Sequence, residues 1–115
     1  MENKKIKSFT DLEDWQEAHK LVLKIYKLTA KFLKEERFGL VDQVRRAAVS
    51  VSSNIAEGFS RHTSLEKGRF YYQSLGSLTE LQNQILVAKD VGYIDKKQFD
   101  GVASQTISVS KLTNR

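Results

Sequence analysis

Apolar side chains recur at intervals of three and four residues through four long segments of this chain, and no long segment alternates between apolar and polar residues. The 115 residues include no proline, so no ring interrupts the backbone hydrogen bonds of a helix. Helices joined by short turns run antiparallel to their neighbours in sequence. The pattern therefore predicts an all-α fold, an antiparallel up-down-up-down four-helix bundle forming one domain over 1–115. The predicted helices cover about 11–34, 40–60, 64–91 and 95–112.

Local capping sequences support these boundaries. Thr10 and Glu13 have the spacing of a capping box at the start of the first helix, and Thr63 begins the same pattern before the third. Asp95 is placed to cap the fourth helix. Gly92 is placed to end the third helix in the left-handed conformation.

The same periodicity gives the first two helices one continuous apolar arc each. The arc of the first comprises Trp15, Ala18, His19, Val22, Ile25, Tyr26, Thr29, Phe32 and Leu33, and that of the second Leu40, Val44, Ala47, Ala48, Val51, Ile55 and Phe59. The third helix carries Tyr71, Tyr72, Leu75, Leu78, Ile85 and Leu86, and the fourth runs through Gln98, Phe99, Val102, Ala103, Ile107, Val109 and Leu112.

The composition excludes several classes of protein. The chain has no cysteine, which removes disulfides, thiolate catalysis and cysteine-ligated metals. No apolar run approaches the roughly 18 residues that a membrane span requires, and no signal-peptide core precedes the first helix. We therefore expect a soluble, cytoplasmic protein. Its net charge of +5 favours polyanionic partners.

No combination of residues points to catalysis. His19 lies within a predicted apolar face, where a half-buried histidine bonded to a neighbouring helix is favoured over a metal or catalytic role. His62 lies in a polar turn and is expected to be exposed. No second metal-ligating residue stands at the required spacing, and the scattered glycines form no phosphate-binding loop. We expect no enzyme, no catalytic residue, no metal and no cofactor.

The second predicted helix has few of the lysine and glutamate residues that usually cover a solvent-exposed face. Small residues form a second arc away from its core face, and a narrow polar seam separates the two. Small side chains let another backbone approach closely, so we expect packing both inside the bundle and against a neighbouring subunit. The small arc comprises Val49, Ser52, Ser53 and Ala56, and the polar seam comprises Gln43, Arg46, Ser50, Asn54 and Glu57.

The polar seam has two interpretations, a ligand site or a hydrogen-bonded network that fixes the register of subunits. Arg46 and Glu57 lie on nearly the same face, but about 16 Å of helical rise separates them, so they cannot pair within one straight helix. An unpaired buried polar group costs about 1–3 kcal/mol, which favours a network with partners. The predicted interface residues are Arg46, Ser50, Ser52, Ser53, Asn54, Ala56 and Glu57.

Five lysines of the first predicted helix repeat at spacings of four and three residues, which confines them to an arc of about 80°. Neighbouring like charges repel, so helix stability alone does not require them. They form either a solvated face or a surface for phosphate groups. A second basic cluster follows the second helix. The candidate nucleic-acid-binding residues are Lys20, Lys24, Lys27, Lys31 and Lys34, with Arg61, Lys67 and Arg69 in the second cluster.

The run from Gln43 to Gly58 also carries a resemblance. It reads Q-x-R-R-A-x-x-S-x-x-S-N-I-A-E-G, and this pattern resembles the four-helix bundle family encoded by intervening sequences of large-subunit ribosomal RNA genes. Segments around Trp15, Gly39, Glu80 and Tyr93 are similar to that family in the same order. The chain also resembles the accessory protein of diversity-generating retroelements.

The resemblance implies a homopentameric ring with a basic surface, and RNA, DNA or a reverse transcriptase as partners. Two hypotheses follow. The first is a non-enzymatic, ring-forming protein with weak, phosphate-directed affinity for nucleic acid. The second is a protein-interaction scaffold that recruits another protein and has no direct role with nucleic acid. A small-molecule-binding bundle is a third and less favoured alternative.

Overall fold

The computed structural model describes residues 5–32, 34 and 39–114. Within these residues a short 3-10 turn, Phe9–Asp11, precedes four α-helices, and there is no β-strand. The helices are α1 (Glu13–Thr29), α2 (Leu40–Ser60), α3 (Ser64–Asp90) and α4 (Lys96–Thr113). The all-helical prediction is confirmed.

The start of α1 differs from the prediction. Ser8 is the capping residue: its hydroxyl accepts a hydrogen bond from Thr10 N at 3.1 Å, and the Asp11 carboxylate accepts one from Ser8 N at 3.1 Å. This earlier capping box stabilises the 3-10 turn, so α1 begins only at Glu13, after Leu12, whose side chain makes no capping bond. The predicted capping box between Thr10 and Glu13 is wrong.

The N-caps at Thr63 and Asp95 are confirmed, but the capping box predicted at Thr63 is incomplete, because the Glu66 carboxylate accepts from Thr63 Oγ1 at 3.2 Å. The Thr63 hydroxyl accepts a hydrogen bond from Glu66 N at 3.1 Å. Asp95 accepts one from Gln98 N at 2.7 Å, and the Gln98 side chain accepts one from Asp95 N at 2.9 Å. Gly92 has a φ of 90°, the left-handed conformation expected after a helix end.

Helix α1 ends at Thr29 and not near residue 34. The next backbone bonds, Lys31 N to Leu28 O and Phe32 N to Thr29 O, span three residues and form a tighter turn. The Thr29 hydroxyl donates to Ile25 O at 2.8 Å and accepts from the Arg45 side chain at 2.8 Å, which ties this helix end to α2. Leu33, a predicted core residue, lies outside the described residues.

The core face of α2 largely matches the prediction, whereas that of α1 is rotated. Leu21, absent from the predicted face, is completely buried. His19 and Tyr26, which were placed on it, are exposed. The buried side chains of α1 therefore follow a narrower arc than the sequence suggested, at Ala18, Leu21, Ile25 and Thr29.

Helix α3 carries two apolar stripes, and only one faces the core. The outer stripe includes Tyr72 and Leu86, which are 78% and 41% exposed. The buried stripe instead includes the small residues Ser74 and Ala88, whose size lets the neighbouring helix approach closely. Leu81 completes it and is fully buried.

Each helix packs against two others around this core: α2 contacts α1 and α3, and α4 likewise contacts α1 and α3. The contact between α2 and α3 is the most extensive. Of the helices in the described ranges, none has the length and hydropathy needed to cross a bilayer.

Candidate functional site

A groove of about 350 Å³ lies between the end of α1 and the start of α4. Its rim carries four lysines and its floor is largely apolar. We call this feature the lysine groove. Its lining residues are Lys24, Lys27, Leu28 and Lys31 from the first helix and following turn, and Lys97, Gln98, Gly101 and Val102 from α4.

Within the part of the chain that the structure describes, the lining of the lysine groove contains four cations and no carboxylate. Lys27 and Lys31 lie at the C-terminal end of α1, where the helix dipole favours positive charge. Lys97 lies in the first turn of α4, where the dipole disfavours it. Helix stability therefore accounts for Lys27 and Lys31 but not for Lys97, and anion binding would account for all of them.

The floor of the groove is open because α4 has a glycine there. The Lys24 ammonium donates to Gly101 O at 3.4 Å, and a Cβ at Gly101 would lie 3.7 Å from that nitrogen. Val102 is 2% exposed and Leu28 is half-buried, so the surface beneath the lysines is apolar and well ordered by the core.

Only Lys24, Lys27 and Lys31 of the five lysines predicted on the first helix line the groove. We call those five, Lys20, Lys24, Lys27, Lys31 and Lys34, the lysine stripe. Lys20 does not line it, and its ammonium pairs with the Glu17 carboxylate at 3.6 Å. Lys34 is exposed beyond the end of α1 and does not line it either. Lys97 was missed in the sequence. The pair Lys96-Lys97 directly after the Asp95 cap was the available signal, but its proximity to α1 requires the fold.

The second basic cluster is divided by the structure. The Lys67 ammonium donates to Phe59 O at 2.9 Å and Gly58 O at 3.4 Å, so it caps the C-terminal end of α2. The Arg61 guanidinium lies 4.6 Å from the centre of the Phe70 ring and 3.5 Å from the Glu57 carboxylate. Arg69 is exposed. None of the three predicted cations lines the lysine groove.

Four residues of the polar seam of α2 fall into two groups, one hydrogen-bonded within the bundle and one in exposed ion pairs. Ser50 Oγ lies 2.8 Å from Ser77 Oγ of α3, and the Asn54 amide donates to Ser50 O at 2.8 Å. These groups therefore form hydrogen bonds within one chain. Arg46 is 81% exposed and pairs with Asp42 at 3.1 Å, while the exposed Glu57 pairs with Arg61.

The small arc of α2 faces outward in the single chain. Ser53 is exposed and Val49 is 38% exposed, while Ser52 and Ala56 are half-buried. Val49, Ser50 and Ser53 line a shallow concavity of about 500 Å³ together with Tyr26, Asp42, Arg45 and Arg46. A surface of small side chains on α2, bordered by Tyr26, Arg45 and Arg46, is thus accessible on this side of the molecule.

The histidines do not form a site. His19 was expected to be half-buried and hydrogen-bonded to a neighbouring helix, and this prediction is wrong: it is exposed and stacks on Trp15 with ring centres 4.8 Å apart. His62 is exposed. Among the described residues, no three histidine, aspartate or glutamate side chains come close enough to hold a metal ion.

Comparison with known proteins agrees with the resemblance in the sequence. The family model of the 23S rRNA-intervening sequence protein matches residues 10–115. A crystal structure of a protein of unknown function from the S23 ribosomal protein family, from Bacteroides thetaiotaomicron, is similar with a TM-score of 0.82. The identity is 17%, and the match covers 88% of this chain and 91% of the other, which establishes the fold alone. No curated protein sequence matches this chain significantly.

Proposed function

The chain belongs to the 23S rRNA-intervening sequence protein family, and we propose that it is a non-enzymatic, cytoplasmic protein that binds RNA or DNA weakly through phosphate contacts. The supporting observation is the lysine groove, which brings Lys97 of α4 beside the lysines of α1, with no carboxylate among the described residues that line it. Four cations held together by two packed helices concentrate positive charge more than the lysine stripe of α1 alone.

Such binding is electrostatic in origin. Each phosphate that a lysine neutralises releases condensed counterions, so affinity falls as salt rises. With four lysines the logarithm of the association constant should fall by about 2.8 per tenfold rise in salt for a single strand and by about 3.6 for B-DNA. The groove offers no base-reading array of donors and acceptors, so little sequence preference is expected.

The test is a variant in which the four groove lysines are replaced by glutamine. A matched control replaces four exposed lysines outside the groove, so that both proteins have a net charge of about +1, from +5 less four. We expect the groove variant to lose about tenfold or more in affinity at low salt, measured by fluorescence anisotropy, and the control to lose much less. The groove variant carries Lys24→Gln, Lys27→Gln, Lys31→Gln and Lys97→Gln; the control carries Lys5→Gln, Lys7→Gln, Lys96→Gln and Lys111→Gln.

Equal losses in the two variants would show that net charge matters and the groove does not. Failure of the unaltered protein to bind mixed RNA and DNA at low salt would refute the nucleic-acid proposal altogether. In that case the scaffold hypothesis takes its place.

Assembly is a second part of the proposal. We propose an up-down-up-down bundle that forms a homo-oligomeric ring, with the outward small arc of α2 at the contact between subunits. The exposed Val49 and Ser53 and the shallow concavity beside them support this arrangement. The family resemblance implies five subunits. Sedimentation analysis tests it, and a solution containing only folded single chains would contradict it.

The scaffold alternative is favoured by one observation, the outer face of α3. Leu65, Tyr72 and Leu86 are separated by seven and fourteen residues, so they lie on the same side of the helix. They are 70%, 78% and 41% exposed, and a Cβ at Gly68 or Gly76 would meet nothing within 4 Å. An exposed apolar face of this kind, with the exposed Arg69 beside it, suits a protein partner, such as the reverse transcriptase implied by the resemblance.

A further inference from the structure

We infer that the lysine groove accepts an unpaired nucleotide, with its base on the apolar floor and its flanking phosphates at the lysine rim. This rests on the proposed function and adds a preference for single strands over duplexes. The binding residues assigned are Lys24, Lys27, Lys31 and Lys97 for phosphate, and Leu28 and Val102 for the base.

The chemistry of the floor supports a base more than it supports further phosphate. Val102 is 2% exposed, so it supports the floor from below, and the accessible apolar surface comes from the half-buried Leu28 and the methylene groups of the lysines, since Gly101 has no side chain. Gln98 adds one amide at the edge, which can donate to and accept from a base. A phosphate lying on this floor would lose its hydration, whereas a flat base would bury apolar surface against it.

The size of the groove separates the two forms of nucleic acid. At about 350 Å³ it falls at the lower end of the roughly 300–1,000 Å³ typical of small-ligand pockets. A duplex keeps its bases stacked inside and presents phosphates outward, so it can reach the rim lysines but place nothing on the floor. A single strand can splay a base out of its stack and use both parts of the groove.

Gly101 determines whether the floor is accessible. A glycine inside a helix costs up to about 1 kcal/mol relative to alanine. Among the described residues, the neighbour that a Cβ would meet here is the Lys24 ammonium at 3.7 Å, an ordinary contact distance. A larger side chain at this position would therefore enter the groove and turn the Lys24 ammonium away from Gly101 O, while the positive charge of all four lysines is retained.

The experiment compares Gly101→Leu with a matched Gly76→Leu, which places the same side chain on α3 where a Cβ meets nothing within 4 Å. The probes are a mixed-sequence RNA single strand of about 12 nucleotides and the corresponding duplex, measured by anisotropy at low salt. The unaltered protein should prefer the single strand by about fivefold, which corresponds to about 1 kcal/mol from the apolar surface that one base buries. Gly101→Leu should abolish this preference and leave duplex binding within about twofold, and Gly76→Leu should change neither.

The outcomes distinguish the inference from the function on which it rests. If Gly101→Leu still prefers the single strand while the four-lysine variant loses binding, the groove binds phosphate only and the inference is wrong. If an acidic peptide binds the unaltered protein and neither nucleic acid does, both proposals are wrong. Gly101→Ala, whose Cβ fits at 3.7 Å, is the second variant if leucine prevents folding, and it should reduce the preference by about half.

Discussion

Two helix–helix contacts of this molecule differ in how they are built. Helices α2 and α3 pack through small side chains, whereas α1 and α4 are joined by long polar side chains. At the first contact the side chains are small and the helices approach closely. Gly58 lies so near α3 that a Cβ there would be 2.7 Å from Tyr71 Cε1 and 3.2 Å from Phe70 Cβ. Ser74 donates to Val51 O at 2.9 Å, so even a hydroxyl bonds directly to the facing backbone.

At the second contact long side chains hold the helices together at their edges. The Gln105 amide donates to the Glu17 carboxylate at 2.9 Å, and Lys24 reaches Gly101 O at 3.4 Å. The space between them near Gly101 remains as the lysine groove. Small residues of the motif on α2, such as Gly58, therefore serve packing, whereas the cations of the lysine groove lie outside that motif, on α1, the turn after it and α4.

Gly58→Ala should cause the largest loss of stability among the substitutions at these two contacts. The added methyl would overlap the Tyr71 ring, and overpacking of this kind costs about 1–3 kcal/mol of the free energy of unfolding. Gly76→Ala is the matched control, because nothing lies within 4 Å of its Cβ and alanine favours the helix by up to about 1 kcal/mol. Urea denaturation should thus show a lower free energy of unfolding for Gly58→Ala and a higher one for Gly76→Ala, although both replace glycine by alanine. Stabilisation by both would mean that α2 and α3 are not closely packed.

Features set by a few neighbouring residues could be predicted from the sequence. The caps at Thr63 and Asp95 and the left-handed Gly92 each depend on contacts within four residues, and all three were correct. The core face of α2 was largely correct, with the buried Val41 missed, because that helix has only one strongly apolar side. Family membership followed from the motif on the same helix.

Features set by which helices are neighbours could not be predicted in this way. Helix α3 has two apolar stripes, and its sequence does not say which one meets α2. The rotation of α1, which buries Leu21 and exposes His19, depends on the same choice of neighbours. Lys97 joins the site only because α4 packs against α1, more than sixty residues away in the chain. The lysine groove is therefore a property of the tertiary structure.

Ser74→Ala should lower the free energy of unfolding by an intermediate amount, and more than the corresponding substitution at the α1–α4 contact, because Ser74 is more deeply buried. Ser74 is completely buried, and loss of its hydrogen bond to Val51 O should cost about 1 kcal/mol. Gln105→Ala removes a comparable bond to Glu17 at a half-buried position, where water replaces the lost partner, and should cost about 0.5 kcal/mol. Chemical denaturation of both variants measures the difference. If Gln105→Ala lowers the free energy of unfolding more than Ser74→Ala does, the hydrogen bond at the α1–α4 contact contributes more to stability than the one at the α2–α3 contact, contrary to this prediction.

Tyr71→Phe should have the smallest effect, visible only in alkaline solution. Burial, and secondarily the negative charge of Asp14, raise the pKa of the Tyr71 phenol above its ordinary value of 10.0. Above that pH the unfolded chain releases the phenolic proton while the folded chain keeps it, so the free energy of unfolding falls until the higher folded-state pKa is passed. Phenylalanine has no proton to lose.

Urea denaturation at about pH 8 and about pH 11 measures this difference. The free energy of unfolding should decline less between the two pH values for Tyr71→Phe than for the unaltered protein. Tyr72→Phe, at a side chain 78% exposed, controls for the loss of a phenol. Equal declines in Tyr71→Phe and the unaltered protein would mean that the Tyr71 hydroxyl is as well hydrated in the α2–α3 contact as in the unfolded chain.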